Sequence, residues 1–392
     1  MLEQINAMKK KIFFLTENFF TKFDFSKFKI KLLSKHFLVE VVDFTSFLSK
    51  KYYLKYAKKN LFFRNKSFTY LKIHNVNDLK FFIQKIKNIN YKTFIVDSLS
   101  NTDSNLKIKK NLFKLNDVKS IHISHNYPSG NFIFSPLSYL KLFIVNWRDY
   151  LLLFFKKKII KYDYNFLTSN YNFFTSNFIY SDQIFLTNTF DYENFLDENK
   201  KISKSKISNQ PYAVFLDEMM PNHPDYEKLD IRHPISLKAY KEIMNNFFHY
   251  FEKKLKMKIV IARHPKDHFT KKDKDIFKKF RNYSDCTLSL VKYSKLVLLH
   301  ASTSVSYAIM FKKPLLYINS NEFGWMKKRI NIFHNNTGGK IVYLPNINQN
   351  NFQDKIYEVN NSKYKNYLNS YIKHPYASNS LFESIVQCIK VS

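Results

Sequence analysis

Residues 256–318 constrain the fold more than any other stretch, because three apolar strand-type runs follow one another there with a helical pattern between the last two. The first run is Met257-Lys-Ile-Val-Ile-Ala-Arg263. It stops at His264-Pro265, since proline cannot continue a central strand. The second is Lys295-Leu-Val-Leu-Leu-His300, followed by Ala301-Ser302-Thr303-Ser304 and a short helical pattern through Ala308 and Phe311. Lys313-Pro314 ends that helix, and Leu315-Leu-Tyr-Ile318 begins a third strand. A hydroxyl-rich turn between a strand and a helix turns unpaired N–H groups and a positive dipole end toward one point, a natural place for phosphate. Arg263-His264 ends the neighbouring strand, on the edge where open α/β sheets take ligands. Together these features predict a pocket for a nucleotide mono- or diphosphate.

The remaining sequence continues the alternation. Strands are predicted at Lys11–Leu15, Leu38–Asp43, Thr93–Asp97, Ser120–Ser124, Phe178–Tyr180 and Gln183–Leu186. Helices are predicted over Phe28–His36 and over Val76–Ile89, the latter with Leu79, Phe82, Ile83 and Ile86 on one face. The polar, serine-rich run 199–210 is the linker candidate, and a fresh α/β unit starts at Pro211-Tyr-Ala-Val-Phe-Leu216. The expected plan is α/β, with two Rossmann-like domains facing across a cleft: 1–198, a linker at 199–210, and 211–392. The paired runs 165–170 and 172–177 read as low-complexity drift.

Composition removes several classes. The chain has four glycines in 392 residues, so neither a G-x-G-x-x-G dinucleotide loop nor a Walker loop is possible. A nucleotide site must use helix ends and side chains instead. Cys286 and Cys388 supply neither a disulfide framework nor a zinc spacing, which fits a reducing, cytoplasmic compartment. No signal peptide and no uncharged run of membrane-spanning length is visible. The net charge of +33 comes mostly from lysine, and it fits either a solvated surface shaped by codon bias or an anionic partner. No nucleic-acid-binding motif is present and the lysines are spread along the chain, so nucleic acid is not expected; an anionic membrane surface fits better. Only six arginines occur, at 64, 148, 232, 263, 281 and 329, so each points to a need for planar bidentate geometry. The apolar, aromatic segment 132–161, with Lys156-Lys157-Lys158 near its end, reads either as a buried helical insertion over the first sheet or as a membrane-interface element.

Three places in the second half carry a family resemblance. Leu216-Asp217-Glu218 ends a strand, Arg263-His264-Pro265 ends a later one, and Ser302-Thr303-Ser304 opens a helix after the next. These resemble the acidic pair, His-Pro motif and Ser/Thr motif of bacterial polysialyltransferases and related Kdo-transferase-type enzymes of surface-polysaccharide synthesis, which have the GT-B plan. Met219 stands where the polysialyltransferase motif has a glycine. The resemblance covers residues 211–320 well and the first half by pattern only. It implies sugar transfer from a CMP- or UDP-linked donor to a glycan or lipid-linked acceptor, at a peripheral site on the inner face of the plasma membrane.

Such chemistry needs a base for the acceptor hydroxyl and stabilisation of the departing phosphate. Asp217 or Glu218 is expected as base, Asp217 by family carry-over. His264 is expected to donate to the leaving phosphate. Arg263, His300, Ser302, Thr303 and Ser304 are expected to bind the donor, the hydroxyls on phosphate oxygens. His223, with Asp225, is expected to line the acceptor site; His233 and His374 also precede proline and are expected to be structural. Thr16 to Asn18 and His125 are weaker candidates for acceptor lining, and one shared site between the domains is expected. No cofactor is expected. Neither is a catalytic metal, since Asp273-Lys-Asp275 lies in a lysine-rich helical stretch rather than at a strand end. Two alternatives remain: a teichoic-acid-type transferase of polyol phosphate from a CDP donor, and a basic nucleic-acid binder.

Overall fold

The computed structural model describes residues 10–57, 62–115, 117–124, 128, 160–168, 179–200, 210–267, 276–344, 356–377 and 380–392. Most of segment 132–161, the stretch 201–209 of the expected linker, His125 and the run 273–275 lie outside the described residues.

The described chain forms two compact units. One takes residues 10–124, 160–188 and 374–392, and the other residue 128 and residues 189–373. The sequence reading put the break at 199–210; the main stretch of the second unit instead opens at Thr189, with helix Phe190–Lys200, and the last 19 residues return to the first.

The first unit holds a seven-stranded parallel sheet. Its strands are β1 Lys11–Thr16, β2 Leu38–Asp43, β3 Thr69–Lys72, β4 Thr93–Asp97, β5 Val118–Ser124, β6 Ile160–Leu167 and β7 Ile179–Leu186, in the order β3-β2-β1-β4-β5-β6-β7. The central strands are apolar because both faces are covered: Ile12 to Leu15 and Phe94 to Val96 are all buried. The helix expected over 28–36 is instead two short helices, Lys22–Lys27 and Ile30–Leu33. A Thr21–Asp24 capping box starts the first one earlier than expected, and Lys29 with φ 45° separates the two.

The second unit holds six parallel strands: β8 Tyr212–Leu216, β9 Lys258–Ala262, β10 Arg281–Tyr283, β11 Leu296–Leu299, β12 Leu315–Ser320 and β13 Lys340–Leu344. Their order is β10-β9-β8-β11-β12-β13. Counted within the unit this is 3-2-1-4-5-6, the order of a doubly wound Rossmann-like sheet. The helix Leu237–Leu255 shows how the sequence builds a cover. Ser236 Oγ accepts from the Ala239 N–H (3.2 Å) at its start, and Lys256 in the left-handed region (φ 49°) ends it. Tyr240, Met244, Phe247, Phe248 and Phe251 recur at helical spacing and are buried. Burying each such side chain contributes about 1.5–3 kcal/mol against leaving it exposed. Two Rossmann-like α/β units, as expected, are therefore present. No helix among the described residues is long and apolar enough to cross a membrane.

Candidate functional site

In a sheet of this order the chain reverses direction between its first and fourth strands, here β8 and β11, and ligands bind outside the carboxyl ends there. Leu216 pairs with Ala262 on β9, and Phe215 with Leu298 on β11. Adjacent strands lie about 5 Å apart, so residues just past these ends start side by side. The predicted site residues of β8, β9 and β11 are thus brought to one edge of three neighbouring strands.

Asp217 is buried, and its Oδ1 accepts from the Met219 N–H (2.9 Å) in a tight turn. Met219 has φ 52°, a left-handed backbone that glycine would adopt without strain. Glu218 points out of this turn, is only partly enclosed, and reaches across the switch point: its Oε2 accepts from the Ala301 N–H at 2.7 Å. Burial pushes the Glu218 carboxyl up to about 7, with the charge of Asp217 adding to the rise. Arg329 and the Ala301 N–H oppose it. Glu218 is less buried than Asp217, and its raised carboxyl titrates in the range of a base working near neutrality.

His264 is partly enclosed, and its Nδ1 accepts from the Lys266 N–H (3.1 Å), which places the ring proton on Nε2 in the neutral form. Its ring meets that of His223 at 5.0 Å and 72°. His223 is built alike, its Nδ1 accepting from the Asp225 N–H at 3.2 Å. Burial pushes His223 down to about 4, the Asp225 carboxylate opposing and Lys266 and Arg329 reinforcing, so the ring is neutral at physiological pH. His223 therefore lies with His264. Tyr226 continues this line of rings to His233 (5.4 Å) and Trp325 (5.7 Å).

The other predicted residues have more structural surroundings. Arg263 is buried, and its Nη1 lies 3.4 Å from the Asp267 carboxylate. His300 is wholly enclosed: its Nδ1 donates to the Ile318 carbonyl (2.7 Å) and its Nε2 accepts from the Tyr240 hydroxyl (2.9 Å), among Phe215 and Phe323. Burial pushes it down to about 4, which keeps this doubly bonded ring neutral. In the Ser302–Ser304 loop, Ser302 Oγ accepts from the Ser304 N–H (3.3 Å), and the Val305 and Ser306 N–H groups return to the carbonyls of Ser302 and Thr303. The loop thus uses much of its own donor capacity, and Thr303 is its exposed side chain. The helix it opens, Val305–Met310, is six residues long.

Arg329, one of the six arginines, has no place in the site expected from sequence. It lies on the helix Met326–Thr337 that follows β12, exposed, and close enough to Glu218, His223 and Tyr226 to affect all three titrations. Its scarcity in a lysine-rich chain was the available signal. Among the described residues no group of three or more His, Cys, Asp or Glu side chains is placed to hold a metal ion.

No protein-family model and no curated protein matches this chain. Solved structures with a similar chain path include the UDP-GlcNAc 2-epimerase from Methanocaldococcus jannaschii, at 14% identity over 98% of this chain and 100% of that one, with a TM-score of 0.45. The UDP co-structure of S. aureus MnaA matches at 14% identity, with 98% and 96% coverage and a TM-score of 0.49. Acinetobacter baumannii MurG matches at 8%, with 98% and 99% coverage and a TM-score of 0.43.

Proposed function

We propose that this protein is a metal-independent glycosyltransferase of the GT-B plan. It would move a sugar from a CMP- or UDP-linked donor to a growing surface glycan or a lipid-linked acceptor. The observation that supports this best is that a carboxyl raised to near neutrality (Glu218) and a histidine with its donor end fixed (His264) lie just past the ends of adjacent strands at the switch point of the second sheet, with Arg329 within electrostatic reach of Glu218 and of His223. In this reading Glu218 takes the proton from the acceptor hydroxyl as that oxygen bonds to the sugar's anomeric carbon. The bond from that carbon to the donor phosphate breaks, and the phosphate leaves with the electron pair. His264 Nε2–H and Arg329 stabilise its charge. Asp217 holds the turn that aims Glu218. His300, buried beneath the loop, supports the β11 end without touching substrate, and Thr303 reaches the donor. The lysine excess would keep the protein at an anionic membrane surface, where lipid-linked acceptors lie.

A thermal-shift panel of CMP, CDP, UDP, GDP and ADP tests the donor site, because a ligand that binds only the folded state raises the melting temperature by mass action. CMP or UDP should give the largest shift, and turnover should follow with the matching sugar nucleotide. Absence of any nucleotide shift, or turnover of CDP-glycerol alone, would overturn the assignment. Salt-sensitive co-sedimentation with phosphatidylserine vesicles tests the membrane partner; equal sedimentation with neutral vesicles would count against it.

A further inference from the structure

Four His-Pro pairs occur in the chain, at 223, 233, 264 and 374. Three share one local geometry, in which Nδ1 accepts the backbone N–H two residues on: Asp225 at 3.2 Å, Lys266 at 3.1 Å and Tyr376 at 3.3 Å. Proline explains the repetition. It fixes φ and has no N–H, so the first donor past the histidine is the next residue's. His233 is the exception, its Nδ1 donating to the Pro221 carbonyl at 2.8 Å. The turn is thus a local property of the motif, and His374 shows it in the first unit, which contains no other His-Pro pair.

The pairing of His223-Pro224-Asp225 with His264-Pro265-Lys266 is not local. The two turns follow adjacent strands, β8 and β9, with 41 residues between corresponding positions. They are joined twice: the rings meet at 5.0 Å, and the third residues form an ion pair, Lys266 Nζ to Asp225 Oδ1 at 2.6 Å. Both imidazoles carry their proton on Nε2. Around them stand Lys266, Arg329, the Asp225 carboxylate neutralised by Lys266, and Tyr226. Two neutral N–H donors beside a cationic surround suit an oxyanion.

We propose that the paired His-Pro turns form one clamp for a phosphate, in which His223 Nε2–H joins His264 Nε2–H on the same group and the Asp225–Lys266 ion pair holds the two rings in register. This rests on the nucleotide-sugar reading for the identity of the phosphate, and it moves His223 from the acceptor side to the donor side. His223 and His264 are binding residues, while Asp225 and Lys266 are positioning residues.

The test measures the affinity of the full chain for inorganic pyrophosphate, CMP and UDP by calorimetry. His223→Ala and His264→Ala should each weaken pyrophosphate by about 10-fold or more, the scale of a hydrogen bond to a charged group. Asp225→Lys and Lys266→Asp should each weaken it by several-fold. The double swap D225K/K266D should return to within about 3-fold of the parent, a rescue that simple loss of folding would not give. His223→Gln, which keeps a donor, serves where alanine unfolds the chain and should bind better than His223→Leu. If His264→Ala weakens binding while the folded His223 variants do not, the clamp is overturned and the donor site stands. If pyrophosphate binding follows the pattern while no nucleotide binds, the clamp stands and the nucleotide-sugar reading falls. Absence of binding by all three probes overturns both.

Discussion

The two sheets have the same strand order through six strands, and the carboxyl ends of their first strands are treated in opposite ways. In the first unit Glu17, just past β1, crosses the switch point as Glu218 does past β8. Its Oε2 accepts from the Ser100 N–H (3.2 Å), the Ser100 hydroxyl (2.9 Å) and the Asn105 amide (2.8 Å). Beside it Asp97 and Lys109 form an ion pair at 2.8 Å with both side chains 1% exposed, and Tyr162 adds a hydrogen bond to Asp97 at 2.6 Å. Lys109 also donates to the Leu99 carbonyl and to Asn101. The two carboxylates of that edge, Glu17 and Asp97, are thus held by the unit's own polar groups. In the second unit Glu218 has one backbone donor, remains partly exposed, and lies within electrostatic reach of Tyr226 and Arg329. The same topology therefore carries one edge whose carboxylates are paired internally, with Asn105 Oδ1 and His122 Nδ1 left buried without a partner among the described residues, and one whose Glu218 carboxyl has a single backbone donor; the difference lies in side chains just past strand ends.

Four changes test this contrast. His264→Ala should cut turnover by roughly 10²–10⁴-fold, as for a positioned acid or base, while the melting temperature stays near that of the parent. Steady-state kinetics with the preferred sugar nucleotide would show it, and an unchanged rate would remove His264 from the open edge. Lys109→Met should leave Asp97 buried and unpaired and cost about 3–5 kcal/mol in urea unfolding, with nucleotide affinity unchanged in the folded fraction. A loss under about 1 kcal/mol would mean that Asp97 is not held as described.

Glu218→Gln tests the open edge through pH. The folded carboxyl is raised to about 7 from an ordinary value of 4.5, so the folded state binds more protons between those limits. The stability contributed by the protonated carboxyl is full below about pH 4.5 and is lost as pH rises toward 7. The parent should therefore lose stability relative to the glutamine variant by about 2 kcal/mol across that window. Parallel stability curves would sink the assignment. The smallest effect should come from Thr303→Ala, because the Ser302–Ser304 loop satisfies much of itself: a loss of nucleotide affinity below about 10-fold by calorimetry, at the scale of one hydrogen bond. A larger loss would return the phosphate to that loop.

The strands that frame the site were legible because they are buried on both faces: β8, β9, β11 and β12 are continuous apolar runs. Edge strands were not. β10 is the polar tripeptide Arg281–Tyr283, β13 is partly exposed, and β3 is only half buried. β6 escaped because Ile160-Lys-Tyr-Asp-Tyr-Asn-Phe-Leu167 mixes charge and amide into its alternation. Asp163 bonds the Ser120 N–H and hydroxyl, both at 2.8 Å, which accounts for a charged residue inside a strand. At the site, residue types at strand ends were legible because sequence order fixes them. The Asp225–Lys266 pair and the reach of Glu218 to Ala301 were not, since they join positions 41 and 83 residues apart. His300 reads identically in sequence whether it faces a ligand or the core. Tyr240, sixty residues upstream, supplies the hydroxyl that satisfies its Nε2 in the core.

The return of residues 374–392 to the first unit has a consequence for the order in which the molecule can be made. The closing helix Leu381–Val391 buries Leu381, Phe382, Ile385 and Ile389, and Lys10, one residue before β1, donates to its Ile389 and Lys390 carbonyls at 2.7 and 2.8 Å. The ribosome delivers this helix after the second unit. The first unit is begun first but is completed only after residues 189–373 have emerged. The second unit, residue 128 with 189–373, takes no residue that follows its main stretch in sequence. In this chain the unit carrying the proposed donor site can be complete before the unit that precedes it in sequence.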